Sequence, residues 1–377
     1  VVIEQRASIR SDDIGYVLGE PDLLPLSIGA AVLGTGGGGN PYIGMLRTRE
    51  LMRKGAVVRV LPLDALPDDA PIGRVGGIGA PLIGIEKLSE GAECFRAMRA
   101  IEEVTGVRMA ALIAAEIGGA NAMAPMIVSA QSGLPVIDGD GMGRAFPEVQ
   151  MTTFAIYGES SPLTALADDK GNVVVLKELV DAFWQERFAR HVTVQMGAAA
   201  GAAGAPLPMS FVRKTAIPGT VTLALKIGRA VIDARARRQD VVERLVEEIG
   251  ATLFFIGKVA DVRRDLVGGF VRGHAQLSGL DRWAGAQARI AIQNENLVLW
   301  IDGEPAIMVP DLIMNLALDN GEPITTEMLR YGQRVAVIGM PSHDLMKTPK
   351  ALKYVGPRAF GYPELTYLPL RDSRVAA

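Results

Sequence analysis

Apolar positions between Pro21 and Leu33 recur at helical spacing, and a second helical stretch runs from Pro41 to about Lys54 with Asn40 as its N-cap. Ser11 is placed to cap a short helix reaching Leu18. Ala56 to Leu61 and Val75 to Ile83 read as short strands, and Ser89 to Val104 reads as a helix whose apolar face holds Cys94, Phe95, Met98 and Ile101. The run MAALIAA, residues 109 to 115, has no polar break and suits a strand buried on both faces. Asn121 can cap a helix to about Ser132, and another buried strand runs from Pro135 to Asp138, which completes a βαβ unit.

The pattern changes near residue 165. ALADDKGNVVVL has the form of a hairpin around Asp169 to Gly171, and helical patterns cover Leu179 to Arg190 and Thr220 to Glu248. MGAAAGAAGAPLP, residues 196 to 208, suits either a small-residue loop or a close-packed backbone. From Ala251 to Met340 short β-rich runs (LFFIGKV, ARIAIQ, NLVLWID, RVAVIGM) alternate with turn signals, which favours an antiparallel sandwich or barrel. The expected class is α/β: a layered α/β amino-terminal domain over 1–165, then a β-rich, barrel-like domain with flanking helices over 166–351. The tail, 352–377, is expected to pack back on the first domain.

Composition narrows the function. A chain of 377 residues with 49% hydrophobic and 21% charged residues is globular and long enough for two cores. Its net charge of −3 supplies no basic field for nucleic acid or an anionic membrane surface. No apolar run approaches the roughly 20 residues of a bilayer span. The single cysteine, Cys94, excludes an intrachain disulfide and reads as a core residue, and the start VVIEQRASIRSDD lacks a signal-peptide core, so a cytoplasmic location is expected.

Three stretches can carry chemistry. In GTGGGGNP, residues 34 to 41, the backbone N–H groups of Thr35, Gly36, Gly37, Gly38 and Gly39 can form a nest for an anion or a polarised carbonyl at a helix start. A tight helix-to-helix turn is the plain alternative. The stretch has no Lys-Ser/Thr pair and follows a helix, so neither ATP nor a dinucleotide is indicated. In EIGGAN, Glu116 follows a buried parallel strand, at the end of the sheet where open α/β folds bind ligands, and Asn121 is a cap or a ligand contact. In DGDGMGRAFPE, Asp138 and Asp140 stand one residue apart, able to share a small volume, raise a pKa, recruit Arg144 or hold a hard cation. Arg144 can fork onto a carboxylate, and Glu148 adds a third acid. His191, His274 and His343 are scattered and show no metal-ligand spacing, so neither a metal nor a cofactor is expected. NENL, residues 294 to 297, reads as a polar turn between two β runs, and GPRAFGY, residues 356 to 362, as a loop.

GTGGGGNP, EIGGAN, DGDGMGRAFPE and GPRAFGY, in this order, resemble the S-methyl thiohydantoin desulfurase family, often labelled hydantoinase-like, over nearly the whole chain. The resemblance implies an α/β domain followed by a β-barrel-like one. It also implies hydrolytic replacement of the S-methyl group of a thiohydantoin, a small cyclic ureide, to give a hydantoin. Some relatives accompany hydantoinase or oxoprolinase proteins, so a partner protein or a homo-oligomer is the alternative to independent catalysis, and a non-catalytic binding protein is a third reading. On the enzymatic reading Asp138, Asp140 or Glu116 is the base, the glycine nest donates to developing charge, Asn121 donates to the ring, and Arg144 holds a ring carboxylate.

Overall fold

A computed structural model describes residues 15–80, 83, 87–158, 163–267 and 270–370. The first sheet is built from β1 (Tyr16–Val17), β2 (Arg59–Leu61), β3 (Pro71–Gly79), β4 (Ala111–Ala114), β5 (Val136–Asp140), β6 (Thr164–Ala167), β7 (Val173–Leu176), β8 (Ala199–Gly204), β9 (Leu207–Pro208) and β10 (Ile217–Pro218). Their order is β1-β2-β5-β4-β3-β8-β6-β7, with β9 on β3 and β10 on β5. The β2, β5, β4 and β3 neighbours are parallel, so their carboxyl ends point the same way. The apolar run of β4 lies in the middle of this sheet and is buried throughout, as its lack of polar residues requires.

Helices α1 (Leu23–Leu33), α2 (Tyr42–Arg53), α3 (Glu93–Thr105) and α4 (Ala124–Ser132) cover the first half. Helix α5 (Ala182–Gln195) packs on the antiparallel part of the sheet through Ala189 and Val192, against Leu166, Val174 and Ala200, while α6 (Thr220–Ala236) and α7 (Val241–Ile249) lead to the second half. Asn40 accepts from the Tyr42 amide at 2.9 Å and so starts α2, whereas the helix placed between Ser11 and Leu18 is replaced, in its described part, by β1 pairing with β2. The stretch expected to be one helix from Thr220 is two, because Asp240 takes the Val242 and Glu243 amides and begins a new helix.

The small-residue stretch at 196–208 becomes β8, paired with β3 on one side and β6 on the other. A Cβ at Gly201 would stand 2.4 Å from the Cys94 amide nitrogen, so only a bare backbone lets α3 approach the sheet this closely. Cys94 lies in that seam, with its thiol on the Gly76 carbonyl and pushed up to about 12 by burial. The sheet does not stop at residue 165: β6 to β10 extend it to Pro218, because the hairpin β6–β7 joins through β8.

The second sheet is wholly antiparallel and comprises β11 (Thr252–Val267), β12 (Phe270–Gly279), β13 (Gln287–Gln293), β14 (Glu295–Ile301), β15 (Glu304–Met308), β16 (Leu312–Ala317) and β17 (Arg334–Met340), in the order β15-β14-β13-β12-β11-β17-β16. It curls into a half barrel around Phe255, Leu277, Ile290, Leu299, Ile313 and Val337. A side chain bridges the curl: Asn296 on β14, next to the end strand β15, donates to the Ile313 carbonyl on the other end strand, β16, at 2.9 Å. The N-terminal α/β domain and this β-rich half barrel are joined by one large core in which α1 and α6 pack with Leu312, Met314, Leu316 and Ile338. The tail packs against both halves through Tyr354, Val355, Phe360 and Tyr362, and Phe360 stacks on Phe146 at 6.2 Å. No helix among the described residues is long and apolar enough to cross a membrane.

Candidate functional site

The glycine turn joins α1 to α2 and is gripped on several sides. The Gly38 carbonyl accepts from Ala120 at 2.8 Å, Thr35 from Asn296 at 2.8 Å, and Gly36 from Thr326 at 2.7 Å. Thr35 and Gly36 adopt positive φ, +50° and +90°, and the Thr35 hydroxyl is buried with no hydrogen-bond partner among the described residues. A Cβ on Gly37 would stand 2.1 Å from Oε1 of Glu295, so the carboxyl group of β14 fills the place a side chain would need. The group facing the nest from inside the protein is therefore an acid of the chain itself. Toward solvent the turn is freer: Gly39 is half-buried, and a Cβ placed on it would meet only exposed Ala120, at 3.8 Å.

Glu116 leaves the carboxyl end of β4 and turns inward. Its Oε1 accepts from the Asn121 amide at 2.5 Å and its Oε2 from the Phe146 N–H at 3.0 Å. Burial pushes this carboxyl up to about 7, against those two donors and with the charge of Asp140 adding to the rise. Asn121 does not cap α4 as expected; its side chain crosses to β3, where its Oδ1 accepts from the Gly77 N–H at 2.5 Å. Gly77 is exposed and Asn121 half-buried, so Gly39, Ala120, Asn121 and Gly77 form a continuous rim where solvent meets the site.

Asp140, at the end of β5, is fully buried, and its Oδ2 accepts from the amides of Ile117, Gly143 and Met142 at 2.8, 2.8 and 3.0 Å. Burial outweighs these donors and pushes the carboxyl up to about 7, while Oδ1 lacks a hydrogen-bond partner among the described residues. Asp138 takes different partners: it accepts from the Val221 and Thr222 amides at 2.9 and 3.2 Å and from the Thr222 hydroxyl, which caps α6. Glu148 accepts from Gln150 and is pushed up by burial, with Glu186 adding to the rise. Neither shares a hydrogen bond with the glycine turn.

Arg144 is buried to the last atom. Its guanidinium donates to the Ala145, Asp311 and Asn296 carbonyls at 3.1, 2.6 and 3.0 Å and lies 4.5 Å from the centre of the Phe146 ring. The fork expected to hold a carboxylate of a ligand is thus taken up by main-chain carbonyls of both domains. Burial pulls it down to about 10, opposed by Glu295, Asp311 and Glu116.

Glu295 is the residue that sequence reasoning missed, together with Asn296. NENL does carry the turn between β13 and β14, at Asn294 with φ +57°, but Asn294, Glu295 and Asn296 are all buried, and Glu295 and Asn296 reach the glycine turn. Four consecutive polar residues, from Gln293, without a glycine or proline between apolar strands were the available signal. Glu295 is pushed well above the ordinary carboxylate range, first by burial and then by the charge of Glu116, with Arg144 and the Gly38 amide pulling the other way. The three motifs and β14 therefore converge, but on a packed interior. Two hollows of about 350 Å³ lie elsewhere, one on the second sheet beside Gln276, Arg289 and Trp300, the other beside Pro21 and Met45. No group of three or more His, Cys, Asp or Glu side chains among the described residues is arranged to hold a metal ion.

The sequence pattern of the S-Me-THD-like N-terminal domain matches residues 21–178, and that of the S-Me-THD-like C-terminal domain matches residues 180–370. The fold is similar to the crystal structure of a protein from Chromobacterium violaceum, with a TM-score of 0.78 and 25% identity, covering 94% of this chain and 100% of that one. No curated protein matches the sequence.

Proposed function

The chain belongs to the S-Me-THD-like family, and on that premise we propose that it is a hydrolase-type enzyme replacing the S-methyl or thio group of a thiohydantoin ring with oxygen. The observation that carries this reading is Glu116: a carboxyl at the end of a parallel strand, titrating near neutrality, held by Asn121 at the solvent-facing rim.

In this reaction a water oxygen adds to the ring carbon between the two nitrogens, and one water proton passes to ionised Glu116. The carbon–sulfur bond then breaks, methanethiolate leaves, and the proton on Glu116 passes to it. The second water proton moves to the ring nitrogen, so the C=N bond becomes N–H beside a new C=O. Water and S-methyl thiohydantoin thus give hydantoin and methanethiol. The Gly39 backbone at the rim supplies polar groups matching the N–H and C=O edge of the ring. Asp140 organises the 117 and 142–143 amides behind Glu116 and is a positioning residue. Arg144 ties the two domains together, and Asp138 starts a helix.

Incubating the protein with S-methyl thiohydantoins, thiohydantoins and hydantoins, with and without chelator, and following products by mass spectrometry tests the reading. Conversion to the hydantoin in wild type and its loss in Glu116→Gln supports it; no conversion of any ring overturns it. A second reading, that the chain works with a partner protein or a second copy, is favoured by exposed Phe183, Trp184 and Phe188 on α5. Light scattering of wild type beside Trp184→Ser, together with copurification, measures it.

A further inference from the structure

The site holds more buried acid than it needs for one base. Glu295 is 2% exposed, its Oε1 lies on Gly37, and its Oε2 has no hydrogen-bond partner among the described residues. The groups acting on it are Glu116, Arg144 and the Gly38 amide. Those acting on Glu116 are Asp140, Arg144, Asn121 and the Phe146 amide. One guanidinium, Arg144, faces Glu295, Glu116 and buried Asp311, and its hydrogen bonds go to main-chain carbonyls. A single buried guanidinium balances one negative charge, so ionising all of these carboxyls together is costly and at least one of them holds its proton.

We propose that Glu295 is a positioning residue of this site: a protonated acid, delivered by the C-terminal half barrel onto the glycine turn, whose neutrality lets neighbouring Glu116 be the carboxyl that ionises. This rests on the proposed hydrolytic role of Glu116 for its effect on turnover, but not for the placement of the proton. Two acids in one buried volume cannot both ionise beside one arginine, so they divide into a proton holder and a base. The seat on Gly37 explains why the turn must be bare there. It also makes the second domain part of the site, because the first domain alone would leave the nest empty.

The experiment uses the full chain and three readouts on Glu295→Gln, which keeps the shape and the neutral state but has no acidic proton. The carboxylic acid C=O band in the infrared at neutral pH loses intensity. The melting temperature exceeds that of wild type by a margin that widens as pH rises from 5 to 8, because wild type must hold Glu295 protonated where the unfolded chain ionises it. On S-methyl thiohydantoin, the rising limb of the pH profile keeps its midpoint in Glu295→Gln, because glutamine is as neutral toward Glu116 as the protonated acid, while the inflection that ionisation of Glu295 adds to the wild-type profile at higher pH is gone.

An unchanged infrared band and a melting curve parallel to wild type at every pH would overturn the protonated state. A rising limb that moves in Glu295→Gln, or a high-pH inflection that this variant retains, would overturn the positioning role. A wild type that converts no thiohydantoin removes the hydrolase reading, while the infrared and melting measurements still decide where the proton resides. Should Glu295→Gln not fold, Glu116→Gln serves instead: with that charge gone, the Glu295 acid band must disappear at a lower pH than in wild type, and an unmoved band overturns the pairing.

Discussion

Two buried carboxyls of the first domain, Glu102 and Glu116, are equally hidden at 6% exposure and have opposite surroundings. Glu102, near the end of α3, accepts from Arg99 and Arg108 on Oε2 and from the Met109 amide on Oε1. Both oxygens are met, Oε2 by two cations, and the result is a clamp between the helix and the start of β4. Glu116, at the other end of β4, accepts only from an amide side chain and one N–H, with two more buried acids for neighbours. Burial alone therefore says little about an acid; what distinguishes the two is whether a cation is bonded to it.

The strongest way to break the comparison is to neutralise each acid. Glu116→Gln is expected to lower kcat on S-methyl thiohydantoin by about 10³-fold, within the range of a lost general base, measured by steady-state turnover. Its stability responds the opposite way. The folded-state value of Glu116 is raised from 4.5 to about 7, so wild type loses stability as pH rises across that window, and the variant loses less. Denaturant midpoints at pH 5 and pH 7.5 check the sign. A Glu116→Gln protein with full turnover would place Glu116 with Glu102 among structural acids.

Next in size is Gly37→Ala. The added carbon would meet Glu295 Oε1 at 2.1 Å and its Cδ at 2.5 Å, and that side chain is buried, so it must shift against packed neighbours and a loss of about 2–3 kcal/mol in stability is expected by urea unfolding. Glu102→Ala follows at about 2 kcal/mol, discounted because Arg99 and Arg108 are largely solvated, with the buried Met109 amide left unpaired. Turnover of that variant stays at the wild-type level. The smallest effect is expected from Asn121→Ala, about tenfold in kcat, since one donor to Glu116 is lost while burial still raises its pKa. Its pH profile shifts upward, because the lost donor favoured the ionised form.

Much of the architecture was legible because it is written in local periodicity. The apolar run of β4, the Asn40 start of α2, and the alternation of strands and helices before residue 158 all have short-range causes. The small-residue strand β8 was not legible, since alanine and glycine carry no period, and the reason for them is the approach of α3 across the sheet. Within the site, the placement of Glu116 and Asp140 at adjacent strand ends followed from the sequence. The separate partners of Asp138 and the carbonyl targets of Arg144 did not, because both depend on segments distant along the chain, Val221 and Thr222 in one case, Asn296 and Asp311 in the other.

The sequence by itself determined which elements form, which three motifs stand at turns between them, and which family the chain resembles, since each is a matter of residue order over short stretches. Only the tertiary structure decided that a β-strand acid from the second half closes the glycine turn and that Glu116, Asp140 and Glu295 are all buried there. Both follow from excluding water between segments far apart along the chain, and no short stretch of sequence carries that information.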